Sequence, residues 1–230
     1  KVKVRRDSTR NGAIPLIFGQ IFGKLTKDLS ASAVATAEDE LIGFKAPGDG
    51  TNPQIIPIAL DVNTWQALIA GTLHYGSGSG DSFNYNSSNQ VASGTDGIPE
   101  LNIFPGGANN QRAAGNGGGS LQLTPGNWGT PNIGVSANST AVLGAQIEFG
   151  ITPAQMATFP NSEFKLGADG TLHLTGDPGM SNGIKDNLTA IIGQSRTLPL
   201  YSSVTGNGNN TVYTIVGFAG VRIMAVKLTG

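Results

Sequence analysis

The run "TVYTIVGFAGVRIMAVKL" at residues 211–228 constrains this chain more than any other stretch. Its apolar residues occupy both alternating faces, so as a strand it needs cover on both sides. Such a strand belongs at the centre of a sheet, bent where Gly217 or Gly220 removes a side chain. The segment before it, "TLPLYSS" and then "GNGNN", reads as a partner strand and a turn.

Glycine supports the same class. The 230 residues include 34 glycines, roughly twice ordinary usage, gathered in turns such as "GSGSGD", "GNGGGS" and "GNGNN" with no collagen period. Short apolar runs between such turns predict a β-dominated α+β fold. Its expected form is mostly antiparallel sheets or a sandwich, with two to four short helices and long Gly/Asn/Ser-rich loops. The chain is long enough for one large domain. The expected organisation is a single domain with core segments at 1–71 and 133–230 and a loop-rich insertion at 72–132.

Along the chain, residues 1–6 alternate Lys or Arg with Val, as an edge strand does. Pro15 stands at the first position of an expected helix over 15–25, whose Ile17, Phe18, Ile21, Phe22 and Leu25 share one face. The alternating "LSASAVATA" after it predicts a small-residue strand for that helix to pack on. "IIPIAL" predicts a strand at 55–60, followed by a helix capped by Asp61 or Asn63 and stopped by Gly71. "AQIEFGI" (145–151) and "TLHLTG" (171–176) read as strands, and "NIGVSANSTAVLGAQIEFG" as strand, turn, strand. Thr152-Pro153 opens a short helix between them. "SNGIKDNLTAIIG" predicts the best helix, with Ser181 or Asn182 as cap, an Ile184, Leu188, Ile191 and Ile192 stripe, and Gly193 as stop. No run reaches the ~18 apolar residues of a membrane helix. Both ends look like strands already under way, which leads to the expectation of a longer precursor.

Chemistry is sparsely provided. Charged residues make up 13% of the chain and the net charge is −1, which leaves no basic patch for nucleic acid. Cysteine is absent, so neither disulfides nor thiol catalysis are available. His74 and His173 are the only histidines, and "GSGSG" at 76–80 fits a nucleophile elbow in letters but not in flanking strand and helix. No P-loop or dinucleotide fingerprint follows a strand. No catalytic residue and no organic cofactor are therefore assigned. Calcium is the one metal whose loop-borne oxygen ligands the sequence offers, with Asp49 in "GDGTNPQ", Asp81 in "GSGDSFNYN", and Asp96 and Glu100 in "GTDGIPE" as candidates. None follows an EF-hand pattern.

One resemblance emerges from longer segments. "NGAIPLIFGQIFGKLTKDLSASAVATA" resembles the N-terminal signature of TadG-like proteins of bacterial Tad/Flp pilus assembly. "IIPIALDVNTW", "PGNWGTPNIG", "IEFGITPAQM", "GDPGMSNGIKDNLTAIIGQSRTLPLY" and "GNGNNTVYTIVGFAGVRIMAVKLTG" are similar to segments of the longer, planctomycete-type members. The resemblance implies an exported β-rich domain of the cell envelope, periplasmic or extracellular, with a membrane anchor upstream of Lys1. It implies a non-enzymatic role as assembly factor, minor subunit or adhesin, in contact with itself or with other envelope and pilus proteins. The strand-like ends raise an alternative, the subunit of an extracellular filament built by terminal-strand exchange. A secreted hydrolase built on His74 or His173 is the third expectation.

Overall fold

The computed structural model describes residues 2–6, 14–15, 26–27, 29–33, 41–72, 80–101, 127–178, 182–206 and 210–226. The fold is β-dominated α+β, and it divides into two compact units, Lys1–Leu41 and Ile42–Gly230.

In the first unit, β1 (Val2–Arg6) and β4 (Leu29–Ala33) pair antiparallel, Val2 opposite Ala33 and Arg6 opposite Leu29. Between them in sequence, β2 (Ile14–Pro15) pairs with β3 (Thr26–Lys27). Pro15 therefore sits in a strand opposite Thr26, not at a helix start. The rest of the helix expected over 15–25 lies outside the described residues.

The second unit is built on one five-stranded sheet. Its elements, in chain order, begin with β5 (Gly43–Lys45), β6 (Leu60–Asp61), α1 (Val62–Ile69), and the hairpin β7 (Phe83–Tyr85) and β8 (Val91–Ser93). Then come β9 (Asn127–Pro131), α2 (Thr140–Phe149), α3 (Pro153–Met156), β10 (Glu163–Lys165) and β11 (Leu172–Pro178). The last are α4 (Lys185–Ala190), β12 (Ser195–Thr205) and β13 (Thr211–Arg222). The sheet order is β6-β12-β13-β11-β9, antiparallel except where β6 runs parallel to β12. The sheet curls on itself: Ala59 N–H, next to edge strand β6, donates to Gly129 O in the opposite edge strand β9 at 2.7 Å. The run at 211–222 is indeed the central strand.

Each face of the sheet carries its own core. On one, Leu198, Leu200, Ala219 and Ile223 meet Leu143 and Ile147 of α2 and Leu188 of α4. On the other, Leu174, Tyr201, Tyr213 and Ile215 meet Met156, Ile133 and Phe164. Phe164 packs edge-on against Phe159 (5.1 Å) and tilted against Phe218 (5.5 Å), and Phe44 joins edge-on through Phe218 (5.2 Å). One strand serves both cores because its phase changes midway. Leu200 pairs with Gly217 but Tyr201 pairs with Ile215, leaving Val216 as an extra residue. On β12, Ser202 is the matching extra, since Tyr201 pairs with Ile215 and Ser203 with Thr214. Tyr213 and Ile215 thus face one core while Ala219 and Ile223, on the same alternation, face the other.

Several local expectations hold. Asp61 caps α1 through Thr64 N–H (2.8 Å), and Gly71 follows the helix at φ 66°. Thr152 and Gln155 form a reciprocal capping box around Pro153. Gly193, at φ 82°, ends the α4 turn.

Others are corrected. The stretch 145–151 is not a strand, and 132–150 is not strand, turn, strand, because α2 occupies 140–149. Ser139 caps it through Val142 N–H (3.2 Å), and Gly150 ends it at φ 80°. Residues 55–60 form only a single-residue bridge, Ile55 with Thr197, before β6, since Pro57 has no N–H to give a ladder. All six are nonetheless buried. The helix after Ser181 is short: a 3₁₀ turn at Asn182–Ile184 precedes α4, Ile184 starts α4 without a side-chain cap, and Ile192 is exposed. Ser181 lies outside the described residues.

Ile147 is fully buried between α2 and the sheet. Ile147→Ala is expected to lower stability by about 2–5 kcal/mol, read as a reduced urea midpoint with the slope unchanged.

Candidate functional site

The acidic residues nominated for calcium fall in two places. Asp49 stands alone in an exposed turn, its Oδ1 accepting from Thr51 N–H (2.9 Å) and Thr51 Oγ1 (2.8 Å). The Thr51 N–H, followed by the hydroxyl, holds this carboxyl below its ordinary range. Asp81, Asp96 and Glu100 share the segment that carries the β7–β8 hairpin. Asp81 accepts from the N–H groups of Asp96 (3.1 Å) and Gly97 (2.8 Å). Glu100 accepts from Ser82 N–H (2.6 Å) and Phe83 N–H (3.2 Å), and Asp96 from Ile98 N–H (2.9 Å). Asp81 and Glu100 thus tie the two ends of the hairpin together by satisfying backbone donors, while Asp96 closes a local turn. Among the described residues, no three of His, Asp and Glu gather as a metal-holding group.

His173 lies exposed on β11 with Nδ1 3.4 Å from Thr214 Oγ1. His74 lies outside the described residues. Asp169 repeats the Asp49 arrangement, with Thr171 N–H (3.0 Å) as the main cause of a lowered carboxyl pKa.

A shallow cleft of about 600 Å³ opens at the C-terminal end of α2, lined by Thr51, Asn52, Gln54, Glu148, Phe149 and Gln194 together with Gly50. The helix terminus shapes it, because its last carbonyls need partners from elsewhere. Asn52 Nδ2 donates to Phe149 O at 2.8 Å. Arg196, only 4% exposed, reaches under the helix from β12. Its Nε donates to Ile147 O (3.3 Å), and its Nη2 to Glu148 O (3.1 Å) and Gln194 Oε1 (2.9 Å). Burial pulls the guanidinium pKa down, but arginine keeps its charge. The Glu148 carboxylate instead accepts from Asn187 Nδ2 (2.8 Å), while the Phe149 ring is 60% exposed at the rim. The cleft therefore presents amides, a hydroxyl, one carboxylate and an apolar ring. Sequence reading missed Arg196. Its one signal is a lone cation inside an otherwise uncharged strand, "SRTLPLYSSVT".

Comparison with protein-family models, with curated proteins and with solved structures finds no match to this chain.

Two tyrosines complete the inner core. Tyr201 and Tyr213 pack edge to face at 5.5 Å, and both are buried. Burial raises both phenol pKa values well above their ordinary range, and the Asp61 charge raises Tyr201 further. The Tyr213 hydroxyl lies by the N–H groups of Gly129 and Thr130, which pull the other way without forming a hydrogen bond of normal geometry. The Tyr213 ring occupies the space a side chain at Gly176 would fill.

Removing the Asp81 carboxylate by Asp81→Ala is expected to loosen the hairpin by about 1–2 kcal/mol. Faster proteolytic cleavage within 80–101, with the global melting temperature little changed, is the readout. The tyrosines set an alkaline limit. Below pH ~10 both phenols are neutral folded and unfolded, whereas above it only the unfolded chain ionises them, so stability falls as pH rises. Urea titrations from about pH 8 to about pH 11 should show this decline, with a shallower slope in Tyr213→Phe.

Proposed function

We propose that this chain is a non-enzymatic structural domain of the bacterial cell envelope, exported and associated with pilus assembly of the Tad/Flp type. One observation supports it above the others. The acidic groups Asp49, Asp81, Asp96, Glu100 and Asp169 each hold a backbone N–H in place, so their charge is spent on fixing loops. A surface of low charge, rich in Ser, Thr and Asn, suits contact with other proteins or with polar surfaces. The cleft at the end of α2, with its amides and its exposed Phe149 ring, has the chemistry of an adhesive seat.

The experiment is deletion of the gene in its own bacterium, with fractionation of the tagged chain. The expected outcome is recovery in the envelope or outside the cell, and a several-fold drop in surface filaments counted by electron microscopy. Unchanged filaments, or a chain confined to the cytoplasm, overturn the reading. A hydrolase built on the histidines predicts instead that any detected hydrolysis disappears in a His74→Ala/His173→Ala double variant.

A further inference from the structure

The central strand has one side that its own sheet does not use. β11 pairs with β13 only over Thr211–Ile215, beginning at Leu172. Beyond Val216, β13 has β12 on one side and, among the described residues, no strand on the other. Hydrogen-bond directions say which groups point outward. Thr197 directs its N–H to Gln54 O (2.9 Å) and its carbonyl to Ile56 N–H (2.9 Å), away from β13. Thr197 and Gly220 are therefore a non-bonded pair of the antiparallel ladder, and Gly220 turns its N–H and C=O away from β12. Alternation places Phe218 and Arg222 alike. Ile223 agrees with this phase, bonding back to Gly193 and Gln194 on the β12 side. Among the described residues, nothing pairs with the outward groups of Phe218, Gly220 and Arg222.

This edge lacks the usual guards. It holds no proline and no lysine. Its one charge is drawn aside: Arg222 donates through Nη1 to Gly193 O, and its guanidinium lies 3.6 Å from the Tyr85 ring centre. Gly220 is exposed, with open space where a side chain would stand.

We propose that this edge is a self-association site, where a second copy of the chain pairs antiparallel across a two-fold axis at Gly220. The register is self-complementary. Gly220 meets the partner's Gly220, and Phe218 and Arg222 each meet the other copy's Arg222 and Phe218, all as pairs that exchange both backbone bonds. Charge favours this register, because a shift bringing Arg222 opposite its own copy would place like charges face to face. The pairing closes on itself and gives a dimer. It is independent of the envelope assignment, which stands or falls on fractionation and filament counts.

The chain has no cysteine, so a single introduced one reports on the edge directly. Bonded antiparallel partners lie ~5.5 Å apart at Cα, within disulfide range. Gly220→Cys in the full chain, under mild oxidation, is expected to give a reducible dimer at least ten times faster than Ala145→Cys, an exposed control on α2. Sedimentation of the unmodified chain should show dimers, and Gly220→Lys should shift them to monomers that keep the far-UV circular dichroism of the folded chain. Three results each overturn the proposal: a chain that stays monomeric up to about 100 µM, equal cross-linking at positions 220 and 145, or dimers indifferent to Gly220→Lys.

Discussion

The fold depends on a phase change shared by its two longest strands. A strand shows alternate residues to opposite faces, so one inserted residue exchanges the faces of everything beyond it. Val216 does this to β13 and Ser202 to β12, close together, and the pairing then resumes in its original register. Both strands therefore turn over together without losing their ladder. Tyr201, Tyr213 and Ile215 enter the inner core at one end, while Leu198, Leu200 and Ala219 enter the helix-covered core at the other. A uniform strand would have sent Ala219 toward the aromatic cluster and Phe218 toward the helices. Gly217 lies beside the extra residue, and a side chain there would begin in ordinary contact with Leu200 across the ladder, at 3.8 Å.

Arg196 joins the helix layer to that sheet. Among the described residues, no carboxylate stands within ion-pair range of it. Three carbonyls and an amide oxygen receive its donors instead, two of the carbonyls from the C-terminal turn of α2, where the helix dipole is negative. A buried charge is tolerable only when its donors are satisfied. Here the same contacts also satisfy carbonyls that a helix end leaves open. Replacing the guanidinium would orphan both partners at once, so the seam between α2 and β12 is specified more tightly than its apolar contacts require. Close approach of the helices adds to this, since Gly144 on α2 lies against Asn187 of α4 where a methyl group would meet the amide.

What the sequence made legible follows the range of the forces involved. The central strand, the Asp61 cap, the Thr152–Gln155 box and the Gly193 stop are local patterns, and each was readable from a few neighbouring residues. The helix α2 was misread because its buried side includes Gly144 and Gln146 as well as Leu143 and Ile147, so its apolar stripe is faint. Gln146 is buried for a reason no local pattern carries, a hydrogen bond from its Nε2 to Ile133 O at 2.8 Å. Ala145, Ile147 and Phe149 meanwhile alternate as a strand would. The β7–β8 hairpin hid in polar sequence for a similar reason. Its clasps, Asp81 and Glu100, take N–H groups 15 to 18 residues away, so near glycine they looked like calcium ligands.

The position of β13 also limits how such a chain could build open-ended assemblies. Strand exchange needs a donor that leaves one subunit and completes another. β13 cannot leave: Thr211, Tyr213, Ile215 and Ala219 are buried, and it holds β11 and β12 on either side. Withdrawing it would empty both cores, a cost far beyond the few kcal/mol that separate a folded domain from an unfolded one. β1 is held differently. Among the described residues it pairs with β4 alone, in a two-stranded sheet of marginal stability by itself. Of these two strands, β1 is therefore the one whose release costs less.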